Sequence, residues 1–166
     1  MALIRRSAGG AREVLDDRFA LVGDGDPIGE RDPIVSLERL RAEGEALRAR
    51  GPVGLVLDGT ADVEALASEI ASVDLIAVRF PAFTDGRGYS VARLLRDRLG
   101  YRGPLRAIGN VLRDQVFYLA RVGFDELELA PGRSVEEAIA ALGELSVTYQ
   151  PAADHDVPIW RRRATS

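Results

Sequence analysis

The chain has 166 residues, a formal net charge of −4 and no cysteine. That length supports one folded domain whose core needs no covalent staples, and the missing cysteine excludes disulfides, thiolate catalysis, iron–sulfur clusters and structural zinc. All 22 basic residues are arginine and the single histidine is His155 in a polar tail, so a Schiff base, a P-loop lysine, a Ser–His–Asp relay and a histidine metal site are not expected.

In chain order, residues 1–33 show weak periodicity and turn clusters such as GDGDP and GERDP. They read as an irregular N-terminal arm with a short hairpin around RFALVGDGDP. SLERLRAEGEALRARG (36–51) follows as an amphipathic helix, with Ser36 as N-cap and Gly51 as its stop. An alternating pattern then begins. VGLVLD (53–58), DLIAVRF (74–80), LRAIG (105–109) and DELELA (125–130) are strand-like. ADVEALASEI (61–70), SVARLLRDRLG (90–100), VLRDQVFYLARVG (111–123, capped by Asn110) and VEEAIAALG (135–143) are helical, the last with Ser134 and Glu137 at capping-box spacing. SVTYQ (146–150) reads as a fifth strand, and Trp160 as an anchor for the tail.

The expected fold is therefore α/β: four consecutive βα units, as a small parallel sheet or half of a TIM-like barrel, behind an N-terminal arm and helix. Continuous apolar strands fit a sheet covered on both faces. The organisation is an arm (1–33), a single α/β domain (34–151) and a C-terminal tail (152–166). A half-barrel leaves open edges and favours a homodimer. MALIRRSAGG is too short and too weakly apolar for a secretory signal, and no apolar run approaches the roughly 20 residues that cross a bilayer; a cytoplasmic location without membrane contact is expected.

In parallel α/β folds, ligands bind where strands lead into helices. Three of these connections are short (DGTA, GN, PGRS), and one is long: PAFTDGRGYS, residues 81–90. A long loop at that edge points to function. Gly86 and Gly88 permit positive φ and close backbone approach. Arg87 supplies a forked donor, Tyr89 and Ser90 supply hydroxyls, and Asp85 orients Arg87 or acts as a base. Asp58, Asn110, Arg113 and Arg133 are expected at the same edge; Arg79 ends the second strand, pointing either inward or out. Arg106 falls inside a strand, where a solvated outward side chain is the plain alternative to a role in an anion clamp.

Charge is unevenly spread. Between Arg79 and Arg121 lie nine arginines against Asp85, Asp97 and Asp114, a balance of +6, so the remaining chain carries −10 to reach −4. A basic face on an acidic body suits a small anion or an acidic partner surface. General nucleic-acid binding needs an overall basic excess and is not expected.

The run FPAFTDGRGYSVARLLRDRLGYRGPLRAIGNVLRDQVFYLARVGFDELEL (80–129) resembles the bacterial domain-of-unknown-function family nine-three-four. The resemblance is carried by Phe80, Phe83, Asp85–Ser90, Ala92, Arg93, Leu95 and Arg96, then Leu105–Ala107 and Gly109, Leu112–Gln115 and Gly123–Asp125. Asn110 departs from the aspartate often found there. The resemblance implies a sulfur-assimilation context, since such proteins are typically encoded beside assimilatory sulfite reductase. The expected function is thus an accessory protein of assimilatory sulfate or sulfite reduction. It would carry an anion-binding loop formed by Gly86, Arg87, Gly88, Tyr89, Ser90, Arg106 and Arg113. Its expected partners are sulfite reductase or its electron donor, or a small oxyanion. The alternative is a small enzyme acting on a sulfur- or phosphate-containing anion with Asp85 as acid/base. No cofactor is expected, because neither the first βα turn nor DGRGYS has dinucleotide-binding spacing.

Overall fold

The computed structural model describes residues 3–6, 12–82 and 85–142. The expected strand at 146–150, His155, Trp160, the tail and the loop residues Phe83 and Thr84 lie outside them. The strands are β1 (Leu3–Arg6), β2 (Arg12–Leu15), β3 (Phe19–Leu21), β4 (Asp32–Val35), β5 (Gly54–Asp58), β6 (Leu75–Phe80), β7 (Leu105–Val111) and β8 (Glu126–Leu129). The helices are α1 (Leu37–Arg50), α2 (Ala67–Ala71), α3 (Arg87–Arg93), α4 (Arg113–Val122) and α5 (Val135–Ala141), and α3 runs on into a π-helical turn over Leu94–Arg98.

All eight strands share one sheet in the order β2-β1-β8-β7-β6-β5-β4-β3. Neighbours from β3 to β8 pair in parallel, whereas β1 is antiparallel to both β8 and β2. The fold is α/β, with a mostly parallel sheet curled as a half-barrel. Connectivity enforces the curl. β2 and β3 stand at opposite edges of the sheet yet are joined only by residues 16–18. Eight strands laid flat would span roughly 34 Å, and the step from Leu15 to Phe19 reaches about 14 Å at most.

Two expectations change here. The segment read as an irregular arm contributes β1, β2 and β3 to the sheet and leads into β4. Its hairpin is β1–β2, with Leu3 opposite Leu15. The expected hairpin around residues 18–27 is not formed, because Phe19 pairs in parallel with Asp32. These strands are three or four residues long, too short to show a period, and their partners are distant in sequence. ADVEALASEI is helical only at its end, with turns ahead of Ala67.

The two faces of the sheet differ. Leu55, Leu57, Ile76, Val78, Leu105, Ala107, Leu127 and Leu129 form one buried cluster with residues from all five helices, among them Leu40, Ile70, Val91, Leu119 and Ala138. The alternate strand positions hold a smaller cluster of Phe19, Ile34, Leu75, Ala77 and Ile108. Both faces are largely buried, so the central strands are mostly apolar, but the helices pack on one face and the curl closes the other, where Arg106 and Glu126 are buried as well. Truncating a core residue such as Leu119 to alanine costs about 2–5 kcal/mol in such packing.

Local signals agree with this layout. Ser36 accepts the Arg39 N–H at 3.1 Å, and Gly51 ends α1 with φ 148°. Arg39 lies buried in α1 and donates to the carbonyls of Gly23 and Asp26 at 2.6 and 2.9 Å, pinning the loop after β3. Ser134 accepts the Glu137 N–H at 3.1 Å to start α5. For α4 the expected cap moves. Asn110 is still in β7, the N-cap is Leu112, and Gln115 Oε1 accepts the Leu112 N–H at 3.0 Å.

Candidate functional site

The loop after β6 leaves from the carboxyl-terminal edge of the parallel strands and enters α3. Its frame is aromatic. The Phe80 ring meets Tyr89 edge-on, with centroids 5.5 Å apart, and Phe124 at 5.8 Å. Gly88 is buried on Phe80; a Cβ there would come within 2.6 Å of the ring. On the other side of Phe80, a Cβ on Gly109 would approach its carbonyl oxygen to 2.6 Å, and Gly109 holds φ 97°. Half-buried Tyr89 hydrogen-bonds the Gln115 side chain, and burial raises its phenol above the ordinary value. The start of α3 is therefore bolted to the start of α4.

This changes the part played by the glycines. Gly86 has φ −81°, and Gly88 is not among the positive-φ positions. Gly88 is required for close packing against Phe80 and does not expose a backbone cradle. Gly86 faces open space. Ser90 is exposed on α3.

The charges at this edge stand in pairs. Arg87 donates through Nε to Asp85 Oδ1 at 2.9 Å and through Nη2 to Oδ2 at 2.7 Å, and its backbone N–H reaches Oδ1 at 3.2 Å. These bonds hold the Asp85 carboxyl down at about 2. They also raise the pKa of Arg87, and Asp58 adds to that rise. Asp58 and Arg79 sit opposite each other on β5 and β6 with 3.8 Å between their charged atoms. The turn after β5 presses on α3, since a Cβ on Gly59 would lie 2.8 Å from Arg87 Cβ. Arg113 opens α4 and meets Asp114 at 3.4 Å. Paired or not, these guanidinium groups face water: Arg87 is 61% exposed, and Arg79 and Arg113 are each 44% exposed.

The basic face expected from residues 79–121 is broken up by acids from elsewhere in the chain. Arg98 pairs with Glu64, Arg79 with Asp58 and Arg96 with Asp125. Arg96 is a fastener: besides Asp125 it donates to the carbonyls of Gly123, Tyr101 and Gly103 between 2.7 and 3.0 Å. It emerges from the π-helical turn and locks two loops that precede β7 and β8. Neither this role nor the link from Tyr89 to Gln115 has a local signal in the sequence; a glutamine at the third helical position points only to its bond with the Leu112 N–H.

Arg106 belongs to a different place. It is the second residue of β7, near the amino-terminal end of the sheet, and is only 2% exposed. Its Nε and Nη2 bind Glu126 Oε2 at 2.9 and 2.8 Å, and its Nη1 and Nη2 bind Asp17 at 3.0 Å. It is neither outward and solvated nor part of the loop cluster: the remainder of β7 separates it from the carboxyl-terminal edge by about 16 Å. Of the expected anion-binding residues, Gly86, Arg87, Gly88, Tyr89, Ser90 and Arg113 lie at the helix starts of this edge.

Among the described residues, no group of three or more His, Asp or Glu side chains is placed to hold a metal ion, and no helix is long and apolar enough to cross a membrane. No curated protein matches the chain. The model of the family described as "Bacterial protein of unknown function (DUF934)" matches residues 54–160, from the first residue of β5 onward, and the chain belongs to that family.

Proposed function

We propose that this protein is an accessory component of assimilatory sulfate or sulfite reduction that presents the carboxyl-terminal edge of its sheet to an anion. The anion is either a small oxyanion or a carboxylate-rich surface of sulfite reductase or its electron donor. The observation that carries the reading is the set of solvent-facing guanidinium groups of Arg79, Arg87 and Arg113, on a frame stiffened by Phe80, Gly88, Tyr89 and Gln115. The pathway comes from the family resemblance, in which relatives are encoded beside assimilatory sulfite reductase. Each of these arginines stands beside an acid, so an incoming anion competes with Asp58, Asp85 or Asp114. Competition of that kind suits a reversible, salt-sensitive contact better than a tight ligand cage.

The enzymatic alternative is disfavoured at its central residue. An acid/base group works best when its pKa lies near the working pH, whereas Asp85 is held at about 2 by Arg87. Two measurements test the proposal. A low-salt pull-down with sulfite reductase should retain the protein and release it as salt rises toward about 0.5 M, where screening lengths fall to a few ångströms. Calorimetry with sulfite, sulfate, phosphate and adenylated sulfate reports on the small-ligand form of the reading. Failure of both measurements removes it.

A further inference from the structure

The opposite end of the sheet holds a cavity of about 370 Å³. Pro52, Asp74 and Pro104, which precede β5, β6 and β7, form part of its rim, and the segment from Leu15 to Phe19 crosses it. Its floor is the buried pair Arg106–Glu126, with Asp17 reaching in from the crossing segment. The Phe19 ring lies 5.8 Å from the Arg106 guanidinium carbon. Buried charges of this kind seldom add stability over an apolar floor of the same shape, and the edge described above makes no use of them.

We propose that this cavity binds a small zwitterion, with an ammonium and a carboxylate on one short aliphatic body, the chemistry of free amino acids. Charge accounting around the wall leads to this class. Arg106 is occupied by Glu126 and Asp17. Arg5 uses Nη2 on Glu126 at 2.6 Å, and Arg18 uses Nε on Asp32 at 2.7 Å. A guanidinium has five N–H donors, so both keep donors for a carboxylate. Asp74 uses Oδ2 on the Val53 N–H at 2.9 Å and keeps Oδ1. Asp16 engages neither oxygen among the described residues. Leu3, Leu15 and Phe19 supply apolar wall between these groups. A ligand with one charge engages only one of these two sets of solvent-facing wall groups; a zwitterion engages both. The volume lies near the lower end of small-molecule sites, suited to a metabolite of a few carbons.

The test is an NMR titration of the isotope-labelled full chain with L-leucine, n-butylammonium and butyrate, each to about 10 mM, a range that detects millimolar dissociation constants. Leucine should give saturable shifts at the amides of residues 15–19 and of Val53, and each half-ligand should bind about tenfold more weakly. Asp74→Asn keeps an oxygen for the Val53 N–H and should weaken leucine about tenfold while sparing butyrate; Arg18→Gln, at an exposed side chain, should weaken leucine and spare butylammonium. The proposal is overturned if leucine leaves these amides unmoved, if its shifts fall only at residues 86–90, if butyrate alone binds as well, or if neither variant changes affinity.

Discussion

The two ends of the curled sheet use the same side chains in opposite ways. At the carboxyl-terminal edge, Arg87, Arg79 and Arg113 each stand beside an acid but remain in water. At the amino-terminal end, Arg106 and Glu126 are paired and sealed, each 2% exposed. Burial makes the difference. A pair in water contributes little, because both partners are well solvated when apart. A pair out of water strands its partner as an uncompensated charge once one member is lost. The first arrangement leaves charge available for exchange with a visitor, and the second commits it to the fold.

The largest expected effect tests the sealed end. Arg106→Ala leaves buried Glu126 with Arg5 alone and Asp17 with Arg31 at 3.9 Å, and should cost about 3 kcal/mol in urea unfolding, the lower end for a broken buried pair. Replacing Arg106 and Glu126 together by leucine and methionine should recover much of that loss; if the single variant unfolds at the wild-type midpoint, the contrast between the ends is false. Next comes the packing that holds the exposed edge. Gly88→Ala drives a methyl group into the Phe80 ring and should cost about 1–3 kcal/mol, with altered tyrosine and phenylalanine signals in the NMR spectrum. Ser36→Ala, outside both charge clusters, removes the α1 cap and should cost about 1 kcal/mol, a reference for the loss of one local hydrogen bond. Arg79→Gln, in an exposed and long pair, should move the unfolding midpoint by less than about 0.5 kcal/mol while weakening capture by an acidic partner.

The pH response sharpens the same comparison. Asp85 has a folded-state pKa of about 2 against an ordinary 3.8. Its ionised form therefore favours the fold above the higher value, and that contribution is lost only as pH falls through the lower one. Oxyanion binding at the edge should then show no Asp85 step between about pH 4.5 and 8. A step that vanishes in Asp85→Asn would show that the carboxyl is not held ionised by Arg87.

Much of the architecture was legible in the chain. Apolar runs ending in polar turns marked β5, β6, β7 and β8, and Ser36, Gly123 and Ser134 marked helix ends. Each of these signals acts within a few residues: a side-chain oxygen on a nearby amide, or a glycine at φ 111° closing α4. The family was also readable, because DGRGYS and the segments after it lie close together in sequence. The short strands β1 to β3 were not legible, since three or four residues carry no period and their pairing is decided by distant partners such as Glu128 for Leu3.

For the site, local sequence determined which residue types gather at residues 85–90 and that Arg87 has an acid two positions away. Only the tertiary structure decided that Gly88 serves Phe80, that Tyr89 is tied to Gln115, and that Arg106 faces Asp17, 89 residues earlier in the chain. Charge along a sequence counts arginines without their partners. Folding brings in Asp58, Glu64, Asp125 and Glu126 from outside the basic stretch, and Coulomb energy depends on separation in space and on the surrounding dielectric, not on position along the chain.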